Sequence, residues 1–411
     1  MRDWRSGTLR SLRHRNFRLF FGGQLVSLSG TWMQQVAQAW LVYRLTGSPL
    51  LLGLAAFATR GPILLLGLAG GVAADRLPRH RTIVVTQTLA MLQAFAIAAL
   101  VLSGRVEVWH VFVLAAVLGV INAFDMPARQ AFLFEMVGPE DVSNAIALNS
   151  SAVNAARIVG PSIAGIVVAA WGEGICFLVN GISFLAVLAG LLAMRIERVP
   201  RARARSPWRD VAAGLHYAWH TRRVRSLIVL LAASSLLGMP YMTLMPIFAG
   251  DILGGGSRAL GFLMGAAGAG ALVSALALAG RKGTKGLGRH AAGGAALFGA
   301  SLIAFAASRT FWLSLPFAAL LGLGMIAQMA ATNTLLQTIV PDDLRGRIMA
   351  LYAMSIAGLA PVGGLVMGAA ADLVGAPWAL AAGGAVVLAT AAWFASIRGG
   401  TNPHTGAGRG P

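Results

Sequence analysis

Four charged residues stand inside stretches that are otherwise long and apolar: Arg60, Asp125, Arg129 and Arg157. A charge at the centre of a bilayer costs about 2.5 to 3.5 kcal/mol even on the mildest scale, so such residues face a protein interior or a water-filled cavity and mark the path of a substrate or a proton. Asp125 is the leading candidate for taking up a proton. Since three arginines stand against one aspartate, the set favours an anionic or catechol-like substrate over a cation.

Uncharged polar residues recur at helical spacing beside these charges. Asn122 precedes Asp125 and Arg129 on one helix face, and Asn154 precedes Arg157 on another. The residues predicted to line a polar cavity are Gln34, Gln35, Gln38, Asn122, Asn154, Tyr241, Gln328 and Asn333. In that cavity Asp125 and Arg157, with Arg129 as a further member, are predicted to form a pair that a proton or a substrate can break. The alternative is a permanent ion pair between adjacent helices.

The elements that must position these residues are membrane-spanning helices. Of the 411 residues, 57% are hydrophobic and only 11% are charged, whereas about a quarter of the residues in a soluble domain are charged. About 20 apolar residues cross the hydrocarbon layer as a helix, and stretches of that length recur twelve times. Their approximate bounds are 17–43, 50–74, 82–103, 109–136, 143–170, 175–194, 226–250, 259–280, 290–308, 311–338, 347–371 and 376–397. The sequence therefore predicts an all-α membrane protein, and these stretches are called spans one to twelve.

The distribution of lysine and arginine among the connections predicts the orientation of the spans. Alternate connections, counted from the N-terminal segment to the C-terminal tail, hold 26 of the 33 basic residues, and the other connections hold four. Basic residues remain on the cytosolic side of a membrane. We therefore expect a multi-pass protein of the bacterial cytoplasmic membrane with both termini in the cytosol. The net charge of +19 is assigned to this orientation and not to nucleic-acid binding, because no polar domain could carry a basic patch.

An internal repeat predicts two halves of six spans each. The segment 133–146 has a counterpart 202 residues later at 335–348, in which Asp343 matches Asp141. Each segment starts at the same place in its half, between the fourth and the fifth of six spans. This pattern is typical of two parallel, pseudo-symmetric bundles.

The longest connection, 195–225, marks the boundary between the halves. We expect an N-terminal bundle over 1–194, a cytosolic linker over 195–225, and a C-terminal bundle with a short tail over 226–411. Within the linker, apolar residues from Trp208 to Trp219 recur at helical spacing opposite basic ones. They predict an amphipathic helix on the inner membrane surface, and a plain linker is the alternative.

Three motifs resemble those of the major facilitator superfamily of transporters. The stretch GGVAADRLPRHR at 70–81 is similar to the motif Gly-x-Leu-Ala-Asp-Arg-x-Gly-Arg-Lys after span two, and departs from it at Ala73, Pro78 and His80. The stretch RIVGPSIAG at 157–165 resembles the Gly-Pro-x-x-Gly-Gly motif of antiporters in span five. VPDDLRGRIMAL and DMPARQAF resemble the branch of enterobactin exporters and macrolide-efflux proteins. The resemblance covers nearly the whole chain.

This resemblance implies the major facilitator fold, with twelve helices in two six-helix bundles, and gives roles to residues near the motifs. Asp75 is implied to meet the start of span eleven as part of a conformational latch when the cytosolic side is closed. The latch residues are Gly71, Asp75, Arg76, Arg79, Arg345 and Arg347. The resemblance pairs Arg79 with Glu135, the second proton-coupling candidate. The antiporter-type bend comprises Gly160, Pro161 and Gly165. One alternative is that the charges of the loop after span two only fix the orientation of the spans in the membrane. Another is that the small residues of span five only allow close helix packing.

Several kinds of chemistry are not expected from this sequence. The stretch GRKGTKG at 280–286 has the wrong spacing for a phosphate-binding loop, which argues against direct ATP hydrolysis. Cys176 is the single cysteine and permits neither an intrachain disulfide nor a thiolate metal cluster. His216 and His220 lack a third metal ligand. We therefore expect no enzyme, no cofactor and no metal site.

The sequence thus predicts a transporter that exports a small organic molecule, such as a siderophore or a macrolide, by alternating access in exchange for protons. A functional monomer is expected, with the substrate, protons and the lipid bilayer as its partners. Two alternatives stay open here. One is a lipid or lysophospholipid flippase on the same fold, and the other is a membrane scaffold or sensor that does not transport.

Overall fold

The computed structural model describes residues 7, 9–195, 215–280, 283–284 and 286–399, and helices account for nearly all of them. The helices that form the spans are Arg15–Thr46, Pro49–Arg76, Arg79–Leu102, Val108–Trp171, Glu173–Leu192, Arg222–Ile252, Gly256–Ala279, Leu287–Ala307, Phe311–Ile339, Asp342–Val374 and Ala376–Gly399. A short 3-10 helix, Arg10–Arg13, precedes them. Most of the predicted amphipathic helix of the linker, and the C-terminal tail, lie outside the described residues, although 215–220 are helical.

Ten of the described helices are long and apolar enough to cross a membrane. One of them, Val108–Trp171, has 64 residues and holds spans four and five. The helix Arg15–Thr46 is less apolar because it carries four glutamines, but its 32 residues are more than enough to cross the hydrocarbon layer. Counted in this way, the described helices supply all twelve predicted spans.

The break between spans four and five is made by a glycine. Gly138 has φ 72° and ψ 178°, a conformation that is essentially restricted to residues without a side chain. Pro139 follows directly and has no backbone N–H to donate. The chain can therefore turn here, and the turn places Asp141 at the connection between the two spans.

The connections fall on two sides of the molecule. Because successive spans run in opposite directions, the described ends of the spans that border the connections after spans two, four, six, eight and ten share the side of the N-terminal segment, which we call the basic face. The other connections share the opposite face. Contacts across the fold support this alternation. On the basic face, Asn16 Nδ2 donates to the carbonyl oxygen of Arg195 at 2.8 Å. On the opposite face, Arg44 Nε donates to Glu173 Oε1 at 2.7 Å.

Spans two and eleven join the two halves of the molecule near the opposite face. The carbonyl oxygen of Gly364 occupies the place where a side chain at Gly53 would begin. Further toward the opposite face, Ser48 Oγ lies 3.4 Å from Asp372 Oδ1. Small residues allow helix backbones to approach this closely.

Spans five and eight make a second contact between the halves. A β-carbon at Gly165 would lie 2.9 Å from the Cα of Gly261, and Ser257 Oγ donates to the carbonyl oxygen of Gly165 at 3.4 Å. The Tyr43 hydroxyl of span one donates to the Asp251 carboxylate of span seven. The opposite face is therefore closed.

The halves part toward the basic face. A β-carbon added to Gly67 or Gly71 in span two, or to Gly346 at the start of span eleven, would have no heavy atom within 4 Å. The same two spans are tightly packed near the opposite face. The space between the halves is therefore open to the basic face.

Candidate functional site

Asp125 lies in span four and is almost completely buried, with 1% of its surface exposed. Its Oδ1 accepts hydrogen bonds from Thr86 Oγ1 at 2.7 Å and from Gln87 Nε2 at 2.9 Å, both in span three. Its Oδ2 forms an ion pair with Arg129, one helical turn further along span four. The buried carboxylate is thus neutralised and hydrogen-bonded, as a buried charge requires.

Arg129 extends this cluster to span one. Its Nη1 donates to Gln24 Oε1 at 2.7 Å. The Nε2 atom of Gln24 and the Oε1 atom of Gln87 are buried and have no hydrogen-bond partner among the described residues. The cluster therefore joins spans one, three and four and keeps one donor and one acceptor unused.

The predicted pair of Asp125 with Arg157 is wrong for this conformation. Arg129 stands four residues from Asp125 on the same helix, so its guanidinium reaches the carboxylate without movement of any other span. Arg157 lies in span five and faces the second half of the molecule. In this conformation Asp125 is therefore paired within its own helix, and not with a residue of an adjacent helix.

Arg157 borders a pocket between the two halves, near the midpoints of spans one and five. Its guanidinium carbon lies 5.3 Å from the centre of the Trp32 ring, within cation–π range. Its Nε is buried without a hydrogen-bond partner among the described residues. Tyr241 of span seven and Met264 of span eight line the other side of the pocket, which the surrounding side chains almost fill in this conformation.

Arg60 in span two adds a second positive charge to this region. Its side chain is exposed, and it lies close enough to Arg157 for the two charges to repel each other. Within the described part of the chain, neither arginine forms a salt bridge. The centre of the molecule therefore holds two guanidinium groups that no carboxylate in the described part of the chain neutralises.

Trp32, Thr86 and Gln87, which contact these charges, were not among the residues predicted from the sequence. Tryptophan is enriched at the ends of membrane spans, so a tryptophan near the middle of span one was a usable signal. Thr86 and Gln87 are adjacent polar residues inside the otherwise apolar start of span three. Both patterns could have identified these side chains as members of the central site.

Two glutamines of span one that were predicted to line the cavity are buried between helices. Gln34 donates to Gln93 Oε1 at 3.1 Å and accepts a hydrogen bond from Asn180 Nδ2 at 2.6 Å. Gln38 donates to Thr59 Oγ1 at 3.0 Å. These residues connect neighbouring spans of the first half, so their role in this conformation is helix packing.

Gln328 of span ten differs from the prediction in the same way. It accepts a hydrogen bond from Ser234 Oγ at 2.8 Å and donates to the carbonyl oxygen of Leu230 at 3.0 Å, and it is fully buried. Tyr241 is also buried, but it borders the central pocket. The predicted lining residues that remain partly exposed are Gln35, Asn122, Asn154 and Asn333.

The loop motif on the basic face is organised around Arg79. Its Nη1 lies 2.8 Å from Glu135 Oε1 of span four, the pair that the family resemblance implies, and its Nε donates to the carbonyl oxygen of Ala74 at 3.1 Å. Asp75 is 3.8 Å from Arg79 Nη2, and its side chain is 47% exposed.

The ion pairs given for the described residues do not include the implied contact of Asp75 with the start of span eleven. At the start of span eleven, Arg345 pairs with Asp342 of its own helix at 2.5 Å. The ion pair that Asp75 makes within the described residues is the one with Arg79. This pairing of Asp75 within its own half agrees with the parting of the two halves toward the basic face.

The small residues of span five pack against both halves. A β-carbon at Gly160 would lie 2.6 Å from the β-carbon of Trp32 in span one, and Gly165 meets Gly261 in span eight. The backbone keeps helical dihedral angles from Pro139 to Trp171, so the helix continues through Gly160, Pro161 and Gly165, and the bend there stays a prediction. Here the motif acts through close packing.

A second charged cluster fastens the N-terminal segment to the connection between spans four and five. The carboxylate of Asp141, with a side chain 3% exposed, lies 3.0 Å from Arg10 Nε, 2.9 Å from Arg13 Nη2 and 2.8 Å from His14 Nε2. The hydrogen bond with His14 and the two arginines hold the pKa of Asp141 below its usual value. We call this contact the N-terminal strap.

We expect the N-terminal strap to detach in acid. Because the pKa of Asp141 is lowered by folding, the stability it provides is present above about pH 4, the ordinary pKa of aspartate, and is lost as the pH falls through the lower folded value. A fluorophore at position 9, in a Cys176→Ala background, should lose anisotropy over that range. Asp141→Asn should give the low anisotropy already at neutral pH, whereas Asp343→Asn, its exposed repeat counterpart, should behave as wild type. A high anisotropy in Asp141→Asn would contradict this assignment.

Comparison with known proteins agrees with this architecture. A family model described as transmembrane secretion effector matches residues 6–401. The staphyloferrin A transporter of Staphylococcus aureus is 25% identical over 362 residues, which cover 87% of this chain and 89% of that protein. The multidrug efflux pump Tap of Mycolicibacterium fortuitum is 29% identical over 375 residues, which cover 85% of this chain and 88% of that protein.

Solved structures show the same fold at lower sequence identity. A bacterial homologue of the iron transporter ferroportin has a TM-score of 0.70 and 17% identity, covering 93% of this chain and 98% of that chain. A bacterial homologue of the lysosomal transporter Spinster has a TM-score of 0.69 and 14% identity, covering 94% of this chain and 97% of that chain. Since the family model spans nearly the whole chain, this protein belongs to the transmembrane secretion effectors, efflux-type transporters of the major facilitator superfamily that are not enzymes.

Proposed function

We propose that this transporter exports a small organic anion across the cytoplasmic membrane by alternating access, in exchange for protons. The observation that carries the proposal is the pair of arginines at the centre, Arg60 and Arg157, which no carboxylate among the described residues neutralises. An unpaired charge at this depth is costly. An anionic substrate would offset that cost each time it binds.

The walls of the central pocket indicate which kind of anion fits. Trp32 offers a ring face beside Arg157, and Met264 and Met325 supply flexible, polarizable side chains. Such walls suit an amphiphile with an aromatic or aliphatic body and an acidic group. The names of the relatives, a staphyloferrin A transporter and a multidrug efflux pump, support a small-molecule substrate of this kind.

We assign the basic face to the cytosol, because basic connections stay on that side of a membrane. Under this assignment the described conformation receives substrate from the cytosol, since the halves part toward the basic face. Both termini are then cytosolic.

We propose that the proton moves inward when the transporter returns to the cytosol-facing state without substrate. Asp125 is the first candidate, because its ion pair with Arg129 can open when the carboxylate is protonated. Glu135, paired with Arg79 at the basic face, is the second. An anion is itself driven outward by a membrane potential that is negative inside, so the pH gradient and the potential must be varied separately to measure the coupling.

Arg157→Gln tests the proposed substrate class. We expect metabolites that accumulate in a deletion strain to be small acids, and we expect the wild-type gene to clear them at least about tenfold better than Arg157→Gln, because a charge-assisted hydrogen bond contributes about 1.5 to 3 kcal/mol. Untargeted metabolite profiling of the complemented strains measures this effect.

Arg105→Gln serves as the matched control, because Arg105 is an exposed arginine in a connection of the same half. It should clear the metabolites as wild type does. Accumulation of lipophilic cations alone would refute the anionic substrate, and an altered lipid distribution without metabolite change would favour the flippase.

A further inference from the structure

A lateral groove opens on the second half of the molecule, away from the central pocket. Spans eight and nine both pack along span ten, which forms the floor of the groove between them. Ser274 and Ala277 of span eight, Gly293 and Leu297 of span nine, and Leu323 of span ten line it. The groove has a volume of about 590 Å³.

The groove runs from the basic face toward the middle of the membrane. Leu297 stands ten residues after Leu287, the first residue of its helix, so the groove extends about 15 Å at 1.5 Å per residue. Apart from Ser274 its lining along this length is apolar, and a β-carbon added to Gly293 would meet no heavy atom within 4 Å. This is space of the length and polarity that a lipid acyl chain fills.

The end of the groove at the basic face is positively charged. Arg289 and His290 line it there, in the first turn of span nine. Arg289 is exposed and forms no salt bridge with the described residues. The sequence supplies no aspartate or glutamate between Asp251 and Asp342, so spans eight to ten carry basic residues without any acid.

The corresponding place in the first half is neutralised by the protein itself. Arg79, at the start of span three, pairs with Glu135 of span four at 2.8 Å. The internal repeat aligns Glu135 with Gln337 of span ten. The second half therefore keeps the basic residue at the start of its third span and lacks the acid that would balance it.

We propose that this groove binds an anionic phospholipid of the leaflet at the basic face. The phosphate lies at Arg289 and His290, and one acyl chain lies between spans eight and nine. Basic pockets between membrane helices on the cytoplasmic side suit anionic headgroups, and each basic residue near the surface strengthens binding about fivefold. The site is separate from the central pocket, so it holds whether or not the transported molecule is an anion.

Native mass spectrometry of the full-length protein in detergent tests the site, with phosphatidylglycerol and phosphatidylethanolamine as probes. We expect wild type to retain phosphatidylglycerol at least about fivefold more strongly than phosphatidylethanolamine, and Arg289→Gln to lose that preference. Arg258→Gln, which removes an exposed arginine from the other end of span eight, should keep it.

Gly293→Leu tests the acyl-chain part of the groove. The new side chain has room in the protein but fills the groove, so retention of both lipids should fall, whereas Gly22→Leu, at another glycine with open space, should retain them. Equal retention of the two lipids by wild type, or identical behaviour of Arg289→Gln and Arg258→Gln, would overturn the proposal. Displacement of the lipid by inorganic phosphate alone would also overturn it, because it would show an anion site that does not need the chain.

Discussion

Replacing Asp125 by asparagine is expected to lower the free energy of unfolding by about 3 kcal/mol, at the lower end of the range for a broken buried ion pair. The substitution leaves the Arg129 guanidinium without its counter-ion, and its hydrogen bond to Gln24 does not replace the lost charge. Thermal unfolding of the purified protein in detergent measures this loss. Unchanged stability would show that the pair contributes nothing to the fold.

The double variant Asp125→Asn with Arg129→Gln is the matched control. A neutral pair of similar volume should recover most of the stability, because the buried charge is removed together with its partner. Transport by this variant then separates the two roles of Asp125. If the aspartate carries the exchanged proton, the double variant folds but its transport no longer responds to a pH gradient. If the pair is purely structural, the gradient dependence stays at the wild-type level.

Gly261→Leu is expected to prevent closure of the opposite face. Gly261 meets the backbone of Gly165 and the carbonyl oxygen of Pro161 in span five, and backbone atoms cannot rotate out of the way of a side chain. Overpacking costs about 1 to 3 kcal/mol. A cost of that size confined to one conformation shifts the equilibrium by about 5- to 150-fold, and transport should fall accordingly, because every cycle passes through the closed state.

Cysteine accessibility reports the shift directly. Cys176 is the single cysteine and is buried, so Cys176→Ala provides a cysteine-free background for a probe at Met242, which borders the central pocket. Gly261→Leu should increase labelling by an impermeant reagent added at the opposite face. Gly22→Leu, where a side chain meets no neighbour, should leave labelling and transport unchanged. A Gly261→Leu variant that transports at the wild-type rate would show that this contact does not limit closure.

The bounds of the spans could be predicted closely from the sequence. The predicted span 175–194 is the helix Glu173–Leu192, and the predicted span 311–338 is the helix Phe311–Ile339. In lipid a helix must satisfy its own backbone groups and cover the hydrocarbon thickness. Length and hydropathy are therefore sufficient to locate it.

The partners of the polar side chains could not be predicted in the same way. Helical spacing placed Gln34, Gln38 and Gln328 on polar faces, but it did not indicate that a neighbouring span covers each of those faces. In a soluble protein the polar side of a helix points to water. Lipid is as apolar as a protein interior, so in a membrane the hydropathy pattern does not distinguish a cavity from a helix contact.

The sequence by itself determined that twelve apolar helices form the protein and that charges lie within them. The tertiary structure decided that Asp125 pairs with Arg129, that Arg157 lies beside Trp32 in the pocket, and that the halves close at the opposite face and part at the basic one. The physical reason is that the sequence does not fix how each helix is rotated about its own axis. Each residue turns a helix by about 100°, and a rotation of one helix about its axis changes every side-chain neighbour while the hydropathy along the chain stays the same.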